Sequence, residues 1–272
     1  MGTGGEVRLQ VLICTIGAGG IARVEAAEHP QTEGVEYVVS WQQPDGPRQP
    51  VPVSLAVRKD FRVVVNDTRG LSRNRNIAMG LVTAPWVLVG DDDVDYDSEG
   101  LRLLIERISD TEADVVCCRY TCGGRYIKTY GGREFDLRRP VKGWYPTSFE
   151  IAYRSDSAAG RTRFNENFGI GAPLLCAGEE DIWLYDSLKS GARGIFAPIT
   201  IGSHDGATTA ERHEGEAWLL MTHGAVLSYI KPWSWPARML VHAWRKRASG
   251  FVRHLRLSLA GVVYARRNRL WG

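Results

Sequence analysis

Short apolar runs alternating with helix-compatible stretches dominate the first 120 residues, and that alternation leaves few folds open. The run Leu9–Thr15 suits a strand buried on both faces of a parallel sheet. Val35–Trp41, Phe61–Val65, Trp86–Val89 and Ala113–Arg119 repeat the pattern. Helices fit Ile21–Glu28, stopped by Pro30, then Ser72–Val82 with Ser72 as N-cap, and Ser98–Ile108. Strand–helix alternation predicts an α/β fold with a mostly parallel central sheet flanked by helices. In such sheets ligands sit at the carboxyl ends of strands, near the point where strand order reverses. Two features fall at such ends: the turn Ile16-Gly17-Ala18-Gly19-Gly20 after the first strand, and Asp91-Asp92-Asp93 after the fourth.

From Tyr120 to Tyr153 the pattern changes to short aromatic pieces punctuated by Gly, which read as hairpins rather than crossovers. Glu179–Leu188 reads as a helix and Gly194–Ile199 as a last short strand. With 272 residues, 44% of them hydrophobic, the chain can bury one large domain with an extension. Its 30 Gly and 12 Pro show no period, which excludes a collagen-like fibre, and nine Trp, ten Tyr and seven Phe exclude wholesale disorder. No apolar stretch reaches the roughly 18 residues of a membrane span. The start Met1-Gly-Thr-Gly-Gly-Glu6 lacks the basic and apolar pattern of a secretion leader. Five Cys without paired metal-ligand spacing read as reduced, cytosolic thiols.

Net charge is unevenly spread. Residues 231–272 carry ten Lys and Arg and no acid, the last acid being Glu216, while residues 1–230 hold 24 basic and 31 acidic side chains. An acidic body with a basic end does not suit a nucleic-acid binder, whose positive footprint covers the fold. The expected organisation is a catalytic domain over residues 1–230, with a nucleotide half to about 119 and an acceptor half over 120–230. A basic, Trp-rich extension follows over residues 231–272. There Trp233, Trp235, Trp244 and Trp271 lie among the cations, and Phe251, Leu255, Leu259 and Val263 recur near helical spacing. Such a segment fits the surface of an anionic membrane. The alternative is packing on the main domain through Met239, Leu240 and Phe251.

Chemistry concentrates in two acidic clusters. Three adjacent carboxylates at the end of an apolar strand repel one another, and partial burial raises the cost. A hard divalent cation relieves that repulsion and keeps sites open for phosphate oxygens. A solvated Asp-rich turn is the plain alternative. In Gly178-Glu179-Glu180-Asp181, the helix dipole alone accounts for acids in a first turn. A catalytic reading requires one of them to deprotonate a hydroxyl.

The segment Gly70-Leu-Ser-Arg-Asn-Arg75-Asn-Ile-Ala78, followed by Trp86-Val-Leu-Val-Gly-Asp-Asp-Asp-Val94, resembles family 2 glycosyltransferases of the GT-A fold. Their G-L-S-x-x-R-N-x-A segment precedes an apolar strand ending in D-x-D, and Glu180-Asp181 resembles their downstream acidic pair. The ordered matches span about residues 9–205. The resemblance implies inverting, metal-assisted transfer of a sugar, hexosyl in type, from a nucleotide diphosphate sugar (UDP-sugar first) to an acceptor hydroxyl. Carried over, Asp93 would hold Mn2+ or Mg2+, Asp91 would contact the ribose or the metal, and Asp92 would lie beside the donor. Asp181 would be the general base and Glu180 would orient the acceptor or support the site. Thr15 would line the nucleotide pocket. Arg75 would face the nucleotide, with a helix-surface arginine as the alternative. His204, in Ser203-His204-Asp205, would complete the metal shell or be structural.

Two departures from the family pattern stand out. After the second strand no acid appears until Asp45, which leaves Gln42 or Gln43 to read a base edge. The turn after the first strand can cradle phosphate but fails G-x-G-x-x-G, since Ala22 stands three past Gly19, so a dehydrogenase is excluded. Two other functions compete: a sugar nucleotidyltransferase, and an inactive nucleotide-sugar-binding protein at the membrane. The family and the extension together imply cell-surface polysaccharide or glycolipid assembly. The enzyme would be cytoplasmic, at the inner membrane face, with a glycan or lipid-linked acceptor and no nucleic-acid partner.

Overall fold

A computed structural model describes residues 6–206 and 216–271. Residues 1–5, which open the N-terminal stretch read above, lie outside the described residues. The chain divides into two units, one of residues 1–69, 73–163 and 186–206, the other of residues 70–72, 164–185 and 207–272.

The first unit is built on a nine-stranded sheet. Its strands are β1 (Leu9–Ile16), β2 (Val35–Gln42), β3 (Phe61–Asn66), β4 (Trp86–Asp91), β5 (Asp95–Tyr96), β6 (Val115–Thr121), β7 (Phe135–Asp136), β8 (Ile151–Arg154) and β9 (Gly194–Ser203). The order is β3-β2-β1-β4-β8-β6-β9-β5, with β7 added on β9. β1, β2, β3 and β4 pair in parallel, as do β6 and β9, while β8 is antiparallel to both β4 and β6. Strands β1, β2, β3, β4, β6 and β9 therefore run the same way, and the α/β fold read from the sequence is borne out. Strand order turns back between β1 and β4, and in the register Thr15 lies beside Trp41, Ile16 beside Gln42 and Cys14 beside Asp91. The carboxyl ends of three strands are thereby brought side by side.

The helices over this sheet are α1 (Gly17–Ala26), α2 (Val53–Ala56) and α4 (Ser98–Ser109). Leu101, Leu104, Ile105 and Ile108 of α4 are buried with Leu9, Val11, Tyr37, Leu88 and Val116 of the sheet. Asp97 caps α4 by accepting from the Gly100 amide at 2.6 Å. Two further helices, α3 (Leu71–Met79) and α6 (Glu179–Lys189), cross the division between the units, and α5 is one turn at Ala158–Arg161.

Several local expectations are corrected. Gly17–Gly20 are not a turn ahead of a helix but the first turn of α1, which begins four residues before Ile21. Trp41 Nε1 donates to the Gly17 carbonyl at 3.0 Å, a tertiary contact that overrides the low helix propensity of the glycines. Ser72 is not an N-cap, because α3 begins at Leu71. Its hydroxyl donates instead to the Phe168 carbonyl at 2.6 Å. Strand β9 runs past Ile199 to Ser203, with register shifts against β6 that accommodate Pro198.

The second unit, among its described residues, contains α7 (Ala217–Ile230), α8 (Trp235–Arg245) and α9 (Phe251–Arg267). Helices α7 and α9 approach closely because small residues face each other. A Cβ on Gly261 would lie 1.9 Å from the Met221 carbonyl oxygen, and one on Gly224 would lie 2.0 Å from that of Ser258. Phe168, Leu175, Ile182, Ala225, Val226 and Ala265 form the unit's core, and Trp271 stacks on Phe168 and Tyr229. His223, on α7, stacks on His242 of α8, which lies near His254 of α9. Burial pushes His223 down to about 4, so it is neutral at physiological pH. Of the residues offered for packing, Met239 is buried, Phe251 is half-buried and Leu240 is exposed. No helix among the described residues is long and apolar enough to cross a membrane.

Candidate functional site

The acidic run is split by the end of β4: Asp91 is the last residue of the strand, and Asp92 and Asp93 begin the turn after it. Each of the three carboxylates has a different environment.

Asp91 is held on both oxygens. Arg75 of α3 donates to Oδ1 at 2.8 Å, and Ser148 donates to Oδ2 at 2.9 Å. Arg75 is not a helix-surface arginine, since its side chain is only 3% exposed. Its charge faces Asp91, which lowers the repulsion along the acidic run. Asp92 is gripped by α1 and β1. Arg23 forks onto it with contacts of 2.9 and 2.8 Å, and the Thr15 hydroxyl donates to its Oδ2. Burial raises the Asp92 carboxyl above its ordinary value, and these donors work against that rise. The grip needs Gly20, where a Cβ would lie 2.1 Å from the Thr15 hydroxyl oxygen. Asp93 faces a different partner, with Oδ2 3.3 Å from His204 Nε2. Its side chain is 36% exposed, whereas His204 is nearly buried.

Gln42, at the end of β2, donates to Thr68 Oγ1 at 2.9 Å. Gln43 folds back on the Gln49 backbone, which closes the loop after β2. A polar network of Ser40, Asn66 and Asn74 lies beneath, and the Asn74 amide reaches the Thr15 carbonyl at 3.2 Å. Thr15, Arg75, Asp91, Asp92, Asp93 and His204 are thus linked by direct contacts in the first unit, and Gln42 lies one strand over. Glu180 and Asp181 belong to the second unit, where with Glu179 they form the first turn of α6. Both are half-buried, and Glu179 is buried. Ile182 and Trp183 anchor this helix, Trp183 stacking on Phe164.

Sequence reasoning missed Arg23, Ser148 and the groups behind Ser148. Arg23 lies 69 residues from Asp92 and Ser148 lies 57 from Asp91, with no local pattern to mark either.

Among the described residues, no group of three or more His, Cys, Asp or Glu side chains is arranged to hold a metal ion alone. The chemistry of the pair still fits a divalent cation. A half-exposed carboxylate beside an imidazole gives two ligands suited to Mn2+, with further positions open to water and phosphate oxygens.

The model of the glycosyl transferase family 2 matches residues 45–169, a segment containing Arg75, the acidic run and Ser148. No curated protein matches the chain significantly. Among solved structures, S. aureus TarS 1-349 aligns over 96% of this chain and 92% of its own, with a TM-score of 0.60 and 15% identity. The same protein in complex with UDP-GlcNAc aligns over 81% of this chain and 66% of its own, with a TM-score of 0.55 and 15% identity. The mannosyltransferase PcManGT from Pyrobaculum calidifontis, in complex with GDP-Man and Mn2+, covers 96% and 76% with a TM-score of 0.57 and 14% identity. These likenesses establish a shared GT-A fold, and within it residues 45–169 are similar to glycosyl transferase family 2.

Proposed function

We propose that the chain transfers a sugar from a nucleotide diphosphate sugar, UDP-linked in the first instance, to an acceptor hydroxyl with inversion at the anomeric carbon. The observation that carries this reading is the Asp93–His204 pair at the end of β4, backed by an Asp91 held by Arg75 and Ser148. TarS bound to UDP-GlcNAc and PcManGT bound to GDP-Man and Mn2+ support a nucleotide-sugar donor.

In this reading Asp93 and His204 hold Mn2+ or Mg2+, which when bound offsets the charge developing on the diphosphate leaving group. Asp91 meets the ribose or the metal from the position that Arg75 and Ser148 fix. Asp92 acts indirectly, tying α1 to the turn that carries Asp93. Thr15 lines the nucleotide pocket through its backbone, since its hydroxyl is committed to Asp92. Gln42 and Thr68 border the base. Asp181 accepts the proton from the acceptor hydroxyl as that oxygen attacks the sugar, and Glu180 orients the acceptor.

A screen of nucleotide sugars by thermal shift and slow hydrolysis, with Mn2+, Mg2+ or chelator, tests the reading. One donor is expected to stabilise the protein only with metal and to release a nucleoside diphosphate slowly. Silence from every donor would leave an inactive binding protein, and pyrophosphate release from a nucleoside triphosphate would make it a nucleotidyltransferase instead.

The extension supports a membrane partner. On α9 the small and polar residues His254, Ser258, Gly261 and Ala265 are buried, while Val252, Arg256, Leu259 and Val263 form an outward stripe. Trp233 is 97% exposed, and Trp244, Leu240 and Val241 are exposed too. Large apolar side chains turned outward among ten cations and no acids complement an anionic bilayer, at about 1 kcal/mol per basic residue near it. The enzyme would then work at the cytoplasmic face of the membrane, on a lipid-linked or glycan acceptor of cell-surface polysaccharide or glycolipid assembly. Co-sedimentation with vesicles containing phosphatidylserine, reversed by salt and absent with neutral vesicles, is expected. Equal recovery in both supernatants would remove the membrane from the scheme.

A further inference from the structure

Two consecutive side chains of one short turn reach two parts of the candidate site, and the third anchors the turn in the interior. The 3-10 turn Ser148–Glu150 lies just before β8. Ser148 donates to Asp91 at 2.9 Å. Phe149 lies flat against the His204 imidazole, with centroids 5.7 Å apart and planes 26° apart, and meets Tyr120 edge-on at 4.6 Å. Glu150 points the other way, into the interior, and accepts from Lys128 and Tyr130.

The Lys128–Glu150 pair is sealed from water, with side chains 1% and 0% exposed. Lys128 also donates to the Tyr145 carbonyl at 2.9 Å and to the Thr147 hydroxyl at 2.6 Å. Its ammonium lies 4.6 Å from the centre of the Tyr145 ring and 5.4 Å from that of Tyr130. Glu150 in turn accepts from the Thr147 amide at 3.1 Å. Every one of these contacts ends on the turn or on the walls around it.

A buried ion pair contributes little net stability, because desolvating two charges offsets their attraction, and apolar replacements of similar volume often do as well. Its distinctive effect is directional: both charges must stay paired and fully hydrogen-bonded, so the backbone carrying them has one allowed position. Here that backbone carries Ser148 and Phe149. Ser148 fixes one carboxylate oxygen of Asp91, while Arg75 fixes the other. The Phe149 ring fixes the plane of the His204 imidazole, and the His204 amide is tied to the Thr121 carbonyl at 2.9 Å. A rotated imidazole would lose both the stack and its approach to Asp93.

We infer that Lys128 and Glu150 are positioning residues: they lock the 148–150 turn so that Ser148 and Phe149 hold Asp91 and His204 in the arrangement that receives a divalent cation with a nucleoside diphosphate. This inference rests on the metal-assisted reading above.

The test is titration of the full chain with Mn2+ in the presence of UDP and, separately, GDP, with free Mn2+ followed by electron paramagnetic resonance. The variants are Ser148→Ala, Ser148→Thr, Phe149→Leu and the double substitution Lys128→Met/Glu150→Leu. Loss of such outer supports weakens metal binding about 10- to 100-fold. That loss is expected for Ser148→Ala, for Phe149→Leu and for the double variant, with melting temperatures close to the parent's. Ser148→Thr, which keeps the hydroxyl, is expected to restore binding. Parent-like Mn2+ affinity in folded Ser148→Ala and Phe149→Leu would overturn the inference, and these two variants decide it if the double variant does not fold. A parent that binds no Mn2+ with either nucleotide overturns the metal reading and this inference with it. A parent that binds, with unaltered variants, overturns this inference alone.

Discussion

Replacing Asp181 by Asn is expected to leave donor binding near the parent value while transfer to the acceptor falls by about 10²- to 10⁴-fold, the range that general-base catalysis supplies. Asn matches Asp in shape and still accepts a hydrogen bond through one oxygen, but it cannot take up the proton of an attacking hydroxyl. Asp181 is suited to the task by its place. It is half-buried in the first turn of α6, where the helix dipole favours negative charge, and the neighbouring Ile182 and Trp183 are buried anchors that fix the turn. The discriminating measurement is a pair of assays on one preparation, calorimetric donor binding and single-turnover transfer. A variant that turns over normally removes Asp181 from the base role. A variant that loses donor binding in proportion to activity makes Asp181 a binding residue instead.

The second large effect is expected at Asp93. Asp93→Ala should abolish the metal-dependent part of donor binding and lower transfer by about 10²-fold or more, since a metal-borne charge on a leaving diphosphate is worth several kcal/mol. The contrast with its neighbours follows from their partners. Asp91 pairs with Arg75 and Asp92 with Arg23, while Asp93 Oδ2 lies 3.3 Å from His204 Nε2 with its side chain 36% exposed. The measurement is donor binding with and without Mn2+ in the parent and the variant. If chelator changes nothing in the parent, the metal assignment fails, and the Asp93–His204 contact is then a structural hydrogen bond.

Much of the first unit was legible because its signals are local. A buried parallel strand announces itself as an apolar run, and charges piled at the end of such a run mark a strand terminus that needs a partner. Trp86–Asp91 with the acids after it is of this kind, and the resemblance to family 2 glycosyltransferases rested on it. The partners themselves were not legible. Arg75 offered two readings in sequence, facing a nucleotide or lying on a helix surface; the structure removes the second by burying it, and pairs it with Asp91 from 16 residues away. The side-chain partners of Gln42 and Thr15, which are Thr68 and Asp92, were not legible either. Boundaries failed where tertiary contacts outweighed propensity, at the glycines that open α1 and at Pro198 within β9. On α9 the helical period was legible, but which residues it buries was not. Leu259 and Val263 face outward, because the close approach of α7 admits only small residues between the helices.

The make-up of the second unit sets an order in time on the making of the enzyme. The segment 164–185, which carries Asp181, shares its core with Ala225, Val226 and Ala265. It is pinned by the Asn165 side chain to the Leu270 carbonyl at 2.7 Å and by Phe168 to the ring of Trp271. On a ribosome, the sheet that bears the Asp91–Asp93 turn has all its strands once residue 203 has emerged. The helix start bearing Asp181 shares a core that is completed only by Ala265 and Trp271, and these follow on the order of seconds later at ordinary elongation rates. A nascent chain would therefore pass through an interval in which the sheet can be folded while the core around the start of α6 is still incomplete. Under the proposed roles, translation stopped in that interval would yield a protein that holds a nucleotide but cannot pass on its sugar.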